Sequence, residues 1–424
     1  MAIFLGAQGG DILSWRGNAE LLGELRGAIA GMKTSMLLEE SIDLLKAFKG
    51  RLEEEISYEE SFAEELGRAE DELRQADHDD EIGPLLARFD QLARDYFLKR
   101  GSVVALHSLC NSYRDNLARR VAERVEAVLE LDGTGKPPAP YCLLATGSAG
   151  RQEQTLCVDS VYQFIHGDDE NGGTGYFREF ARRAAILLGK AGLLRDVDSG
   201  AKVTPLWRCG RKDWRDNNFA LFKSMDQQGV ALLLERADFR LVHGDASLSD
   251  EMITVVRSIL DFSQRSLRDP ATAPAPAPVL SEVGRIIAET PTGLDFFGRL
   301  KVEKGGRYQG RFDLEQYALA PLIANIRLLA IDAGLAETST IGRIKGLQGA
   351  GRLSVELSER LLQAYHDFSR LKIFLQIREG CVHERPCHIN PQELAEDGDL
   401  KLRTGLQAVL DLEKITYLRF AHNG

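Results

Sequence analysis

Gly147-Ser148-Ala149-Gly150-Arg151-Gln152-Glu153-Gln154-Thr155-Leu156-Cys157-Val158-Asp159 is the stretch that decides how the chain is read. An apolar run, Tyr141 to Ala145, leads into it and a second, Val161 to Ile165, leads out, so the order predicts strand, glycine turn, short helix, strand. Two glycines let a backbone approach a polyphosphate without Cβ clashes, and the amides that open a helix point at an anion. Ser148 adds a hydroxyl donor and Arg151 a fixed cation. A plain structural turn accounts for a lone glycine-serine pair equally well.

The 424 residues, 44% apolar and 28% charged, are enough to bury an ordinary core and to form two or three domains. A net charge of −11 argues against general nucleic-acid binding, which needs a basic surface to neutralise phosphates. The six cysteines, at 110, 142, 157, 209, 381 and 387, show no C-x-x-C pairing and sit mostly among apolar residues. That pattern predicts reduced core thiols and a cytoplasmic protein. No apolar run approaches the ~18 residues of a membrane span, and Met1 to Ala7 lacks a basic leader region, so no membrane partner is expected.

Residues 18 to about 130 read as helices, with Pro84 their single proline. The clearest stripe is Leu106, Leu109, Tyr113, Leu117, Val121, Val125 and Val128, recurring every three or four positions. Acid runs such as Glu53-Glu54-Glu55 read as a solvated helix face rather than a metal cluster. Asp132 to Pro138 is a turn-rich linker, Tyr176 to Leu188 an amphipathic helix ended by Gly192, and Val230 to Leu234 an apolar run of helical or strand length. Alternate prolines from Pro270 to Pro278 exclude a helix interior or a central strand there. Helices then predominate to Phe420, with Ser339 or Thr340 placed to cap one of them. Cys381, His383, Cys387 and His388 have zinc-ligand chemistry, but their irregular spacing favours an interhelical loop without a metal.

The run GSAGRQEQTLCVD resembles the signature G-S-x-G-R-x-E-Q-T-L-x-T-D-Q-D-N of a bacterial nucleotidyltransferase-like family. That family belongs to the polymerase-beta-type superfamily and is similar to protein-PII uridylyltransferase and glutamine synthetase adenylyltransferase. Thr204-Pro205-Leu206-Trp207-Arg208, the Asp238-Phe239-Arg240 element, and Thr292 to Arg299 with Phe312-Asp313-Leu314 resemble later elements of the same family. The resemblance implies an α+β protein: a helical region over 1–135, a mixed-sheet transferase domain over 136–268 and a helical substrate-binding domain over 280–424. It implies Gly147, Ser148, Gly150 and Arg151 on the triphosphate of a bound nucleotide, and Asp159 and Asp238 as catalytic carboxylates holding Mg²⁺ or Mn²⁺. Arg208, Arg211, Lys212 and Arg215 are further triphosphate candidates, with a solvated basic loop as the competing reading. For Asp238 the competing reading is a structural ion pair with Arg236 or Arg240.

The match breaks after Asp159: the family's glutamine, second aspartate and asparagine fall on Ser160, Val161 and Tyr162. In a D-x-D strand both carboxylates share a face and reach the metals together. Here the positions on that face are Asp159, Val161, Gln163 and Ile165. A charge pair ~4 Å apart is worth roughly 4 kcal/mol at an effective dielectric near 20, or about a thousandfold in rate if it acts on the transition state. Two readings follow. One is a metal-dependent enzyme, with a single metal site, moving a nucleoside monophosphate to a protein acceptor. The other is an inactive relative serving as a nucleotide-sensing or scaffold module.

Overall fold

The computed structural model describes residues 38–76, 78–158, 162–167, 174–194, 208–224, 227–261, 278–288, 293–295, 297–381 and 387–421. Among the described residues, three long helices come first: α1 (Leu38–Gln75), α2 (Asp79–Arg100) and α3 (Val103–Leu131). Local chemistry sets their ends. Three acids, Asp79 to Glu81, open α2 at the positive end of its dipole, and Gly101 closes it in a left-handed conformation. Ser102 caps α3 by accepting the Ala105 amide. The stripe expected on α3 is its inner face, since Leu106, Tyr113, Leu117, Val121 and Val125 are all buried.

The sheet region runs β1 (Tyr141–Ala145), the single helical turn α4 (Gly147–Gly150), β2 (Tyr162–His166), α5 (Thr174–Lys190), β3 (Arg208–Gly210), α6 (Arg211–Ser224), α7 (Gln227–Arg236), β4 (Arg240–Gly244) and α8 (Ala246–Asp261). Its order is β3-β2-β1-β4, with β1 antiparallel to β2 and β4 while β2 and β3 are parallel. Side chains of β1 alternate between two cores. Tyr141, Leu143 and Ala145 pack with α2, α3 and α5, whereas Cys142 and Leu144 join a core that continues through α8 into the C-terminal helices. The central strand is therefore covered on both faces, which explains its unbroken apolar run.

The C-terminal part comprises α9 (Pro278–Ala288), β5 (Phe312–Asp313), a π-helical turn (Glu315–Leu319) running into α10 (Ala320–Asp332), α11 (Thr340–Gly349), α12 (Val355–Glu379), β6 (His388–Ile389) and α13 (Glu396–Phe420). Ser339 caps α11 by accepting the Gly342 amide. The protein is thus α+β, a small mixed sheet between helical N- and C-terminal regions. Among the described residues no helix is long and apolar enough to cross a membrane.

Asp238 sits in the turn just before β4. One expectation needs correction. Cys157 and Cys381 are not reduced thiols: they form a disulfide with Cα atoms 5.3 Å apart across a sequence separation of 224, which no local spacing could reveal. Cys110, Cys142 and Cys209 are buried free thiols, as expected. Asp159, Ser160, Val161, Thr204 to Trp207, His383, residues 1–37 and the prolines from 270 to 276 lie outside the described residues.

Glycine is required at position 150 by contact. A Cβ there would lie 2.1 Å from the Asp238 carbonyl oxygen and 3.1 Å from that of Ala145, both backbone atoms that cannot swing away. Gly150→Ala is expected to lower unfolding free energy by about 1–3 kcal/mol or more in urea titrations. Gly349→Ala, at a helical position with no atom within 4 Å of the new Cβ, should stay within about 0.5 kcal/mol of the parent.

Candidate functional site

β1 delivers the chain to Thr146, whose extended backbone precedes the tight turn at Gly147. Gly147 adopts φ +60° there, and Ser148, Ala149 and Gly150 are buried. Gln152 follows at φ +59°, the single non-glycine residue with positive φ among the described residues. Such a conformation is uncommon outside glycine and asparagine, and surrounding contacts have to hold it. Those contacts come from three regions of the chain.

From the N-terminal side, Arg114 of α3 is fully buried and donates to the carbonyls of Thr155 (2.6 Å) and Leu156 (3.1 Å) while pairing with Asp90 at 3.0 Å. Asn111 accepts from the Gln154 side chain at 3.1 Å. From the C-terminal side, the Thr338 hydroxyl donates to the Gly150 carbonyl at 3.0 Å and the Thr340 amide donates to Glu153. Gln376 of α12 donates to the Thr155 hydroxyl at 3.0 Å, and the disulfide ties Cys157 to Cys381 just past the end of α12. The signature segment is thereby held from both sides.

The third region is the sheet domain's own Asp238, at 0% exposure. Its carboxylate meets Arg327 of α10 at 2.6 Å, Arg343 of α11 at 2.7 Å and Arg151 at 3.2 Å. Arg151 also reaches Glu153 at 2.8 Å. Burial by itself raises the Asp238 pKa, but the guanidinium groups of Arg327, Arg343 and Arg151 outweigh it and hold the carboxyl below its ordinary value. Burial lowers the pKa of Arg327, against the pull of Asp238. This core of the site contains three cations and two carboxylates, Asp238 and Glu153. The Tyr365 hydroxyl also faces Glu153, and burial keeps it neutral.

The geometry reassigns several expected residues. Asp238 pairs neither with Arg236 nor with Arg240: Arg236 lies over the Trp214 ring and donates to Asn218, while Arg240 pairs with Asp115 at 2.7 Å and donates to the Ala149 carbonyl. A metal role does not fit Asp238 in this arrangement, because its two oxygens face guanidinium groups and a cation would meet three like charges. Arg151, expected on a triphosphate, points at Glu153 and Asp238 instead. Among the basic candidates at β3 and α6, Arg211 pairs with Glu251, Lys212 with exposed Asp216, and Arg208 lies against His166. Gly150 lies against the Asp238 backbone, Gly147 and Ser148 precede it in the same turn, and Asp159 lies outside the described residues. Arg327, Arg343, Arg114 and Gln376 escaped the sequence reading. Each sits on an otherwise ordinary amphipathic helix, and only its burial marks it.

Replacing Asp238 by asparagine leaves three buried guanidinium groups short of an anion and is expected to cost about 3–5 kcal/mol of stability at neutral pH. Because the folded-state pKa is depressed, this contribution is complete above the unfolded value near 4 and is lost as pH falls through the folded one. Unfolding of parent and Asp238→Asn from pH 7 down to pH 3 should show the gap between them narrowing below about pH 4.

Residues 87–228, from within α2 through the signature segment to the start of α7, match the family model described as "Putative nucleotidyltransferase DUF294". Residues 278–420, the C-terminal helices that supply Arg327, Arg343 and Gln376, match the model described as "Putative nucleotidyltransferase substrate binding domain". A search of curated proteins found no match. The two models meet across the arginine cluster, and with the glycine-serine turn between β1 and β2 they settle the descent: the chain belongs to the DUF294 nucleotidyltransferase family.

Proposed function

We propose that this chain is a nucleotidyltransferase-like protein in which transfer chemistry is weak or lost and the fold serves as a nucleotide-sensing or scaffold regulatory module in the cytoplasm. The observation that carries this reading is the state of Asp238. Asp238, a catalytic carboxylate by the resemblance, is encased by Arg151, Arg327 and Arg343 at 0% exposure. Hard divalent cations select oxygen ligands that are open to them. The sequence adds a second loss, since Val161 stands where the family has its second aspartate. With one carboxylate replaced and another neutralised by arginines, the described residues do not fit a Mg²⁺ or Mn²⁺ centre. A disulfide such as Cys157–Cys381 is uncommon in a reducing compartment and is there usually transient, so a cytoplasmic protein would hold it only part of the time.

A second reading has its own support. The turn keeps Gly147 in a left-handed conformation and a Cβ-free Gly150, the features that let a backbone approach a polyphosphate. On that reading the protein moves a nucleoside monophosphate, uridylyl or adenylyl, from a nucleoside triphosphate to a protein acceptor. Gly147, Ser148, Gly150 and Arg151 then bind the triphosphate, and Asp159 and Asp238 act as the carboxylates. It requires the arginines to release Asp238.

Incubating purified protein with α-labelled ATP or UTP and Mg²⁺ or Mn²⁺ distinguishes the two. The expected result is no transferred label above background for the parent, and metal-dependent nucleotide affinity that rises in Val161→Asp. Robust turnover by the parent, abolished in Asp159→Ala and unchanged in Val161→Asp, would overturn the proposal.

A further inference from the structure

The structure divides the cysteine-histidine group near the C-terminus. Cys381 leaves it for the disulfide with Cys157, and His383 lies outside the described residues. Cys387 and His388 instead meet Asp313, a residue 74 positions upstream that no local spacing connects to them. The pairing of β5 with β6 creates this meeting: Asp313 is the register partner of His388, and the Leu314 amide donates to the Cys387 carbonyl at 2.9 Å. One ligand atom from each of Asp313, Cys387 and His388 lies within 4.8 Å of the others.

Each side chain is also held in place. The Gln316 amide donates to Asp313 Oδ1 at 2.9 Å, which leaves Oδ2 facing His388 Nε2 at 3.5 Å. The His388 ring is stacked on Tyr308 with centroids 3.6 Å apart and planes 5° from parallel. Cys387 Sγ lies 3.4 Å from His388 Nδ1. Glu315, two residues on from Asp313, is paired with Lys372 at 3.0 Å. Two residues after Asp313 begins the π-helical turn Glu315–Leu319, a rare geometry that recurs at functional sites.

We propose that Asp313, Cys387 and His388 form a zinc site with three protein ligands and an open fourth position. The donor set decides the metal. Thiolate with imidazole and one carboxylate suits a borderline cation, whereas Mg²⁺ and Ca²⁺ select all-oxygen shells. A thiolate, a carboxylate and a neutral imidazole balance the double charge of Zn²⁺. The Gln316 amide on Asp313 and the Tyr308 ring on His388 act as the outer contacts that fix ligand orientation at such centres. The cation joins β5 to β6.

The test uses the full chain, purified without chelators or thiol reagents and dialysed against metal-free buffer. Elemental analysis should find close to one zinc per chain, and Co²⁺ added to the stripped protein should give a thiolate-to-cobalt absorption band at one equivalent. Cys387→Ser and His388→Ala should each retain less than one tenth of the parent's zinc with unchanged circular dichroism, while His366→Ala retains all of it. Equal zinc in the parent and both variants would overturn the site. Should either variant fail to fold, the parent's cobalt titration decides, and no thiolate band at saturating Co²⁺ rejects the proposal.

Discussion

Everything near the signature segment depends on one buried anion. Asp238 carries full charge at 0% exposure, and a carboxylate in that position is tolerable only with strong partners. The sheet domain supplies one, Arg151, and the C-terminal helices supply two, Arg327 and Arg343. The two parts of the chain therefore share a single charge cluster. The Thr338, Thr340 and Gln376 contacts and the disulfide follow the same interface along the segment, from Gly150 to Cys157.

This constraint links packing to chemistry. In the family's signature the stretch after the glycine turn leads from phosphate contacts to carboxylates. Here the corresponding backbone is held between Arg114 on one side and Gln376 on the other, with Glu153 to Val158 buried. Arg151, the residue suited to a phosphate, neutralises Glu153 and Asp238 instead. Val161 stands where the family's signature has its second aspartate, and Asp238 is enclosed by Arg151, Arg327 and Arg343.

Much of this architecture was legible from residue patterns. The apolar run at Tyr141 to Ala145, the glycines at 147 and 150, and the three-four spacing on α3 translate directly into a strand, a turn and a buried helix face. Local chemistry governs such features, so a local reading finds them. The site itself depended on contacts between distant residues. Arg327 and Arg343 lie 89 and 105 positions after Asp238, and Cys381 lies 224 after Cys157, separations at which sequence spacing carries no signal. Asp238 was read as a catalytic metal ligand or as the partner of Arg236 or Arg240, and its partners Arg327 and Arg343 could not be read from spacing.

The most direct test of this account is a crystal structure of the full chain soaked with Mn²⁺ and a non-hydrolysable nucleoside triphosphate, with anomalous data collected for manganese. The account predicts Asp238 still enclosed by Arg151, Arg327 and Arg343, with no anomalous peak at its carboxylate. A manganese peak bonded to Asp238, with Arg327 and Arg343 withdrawn, would contradict it.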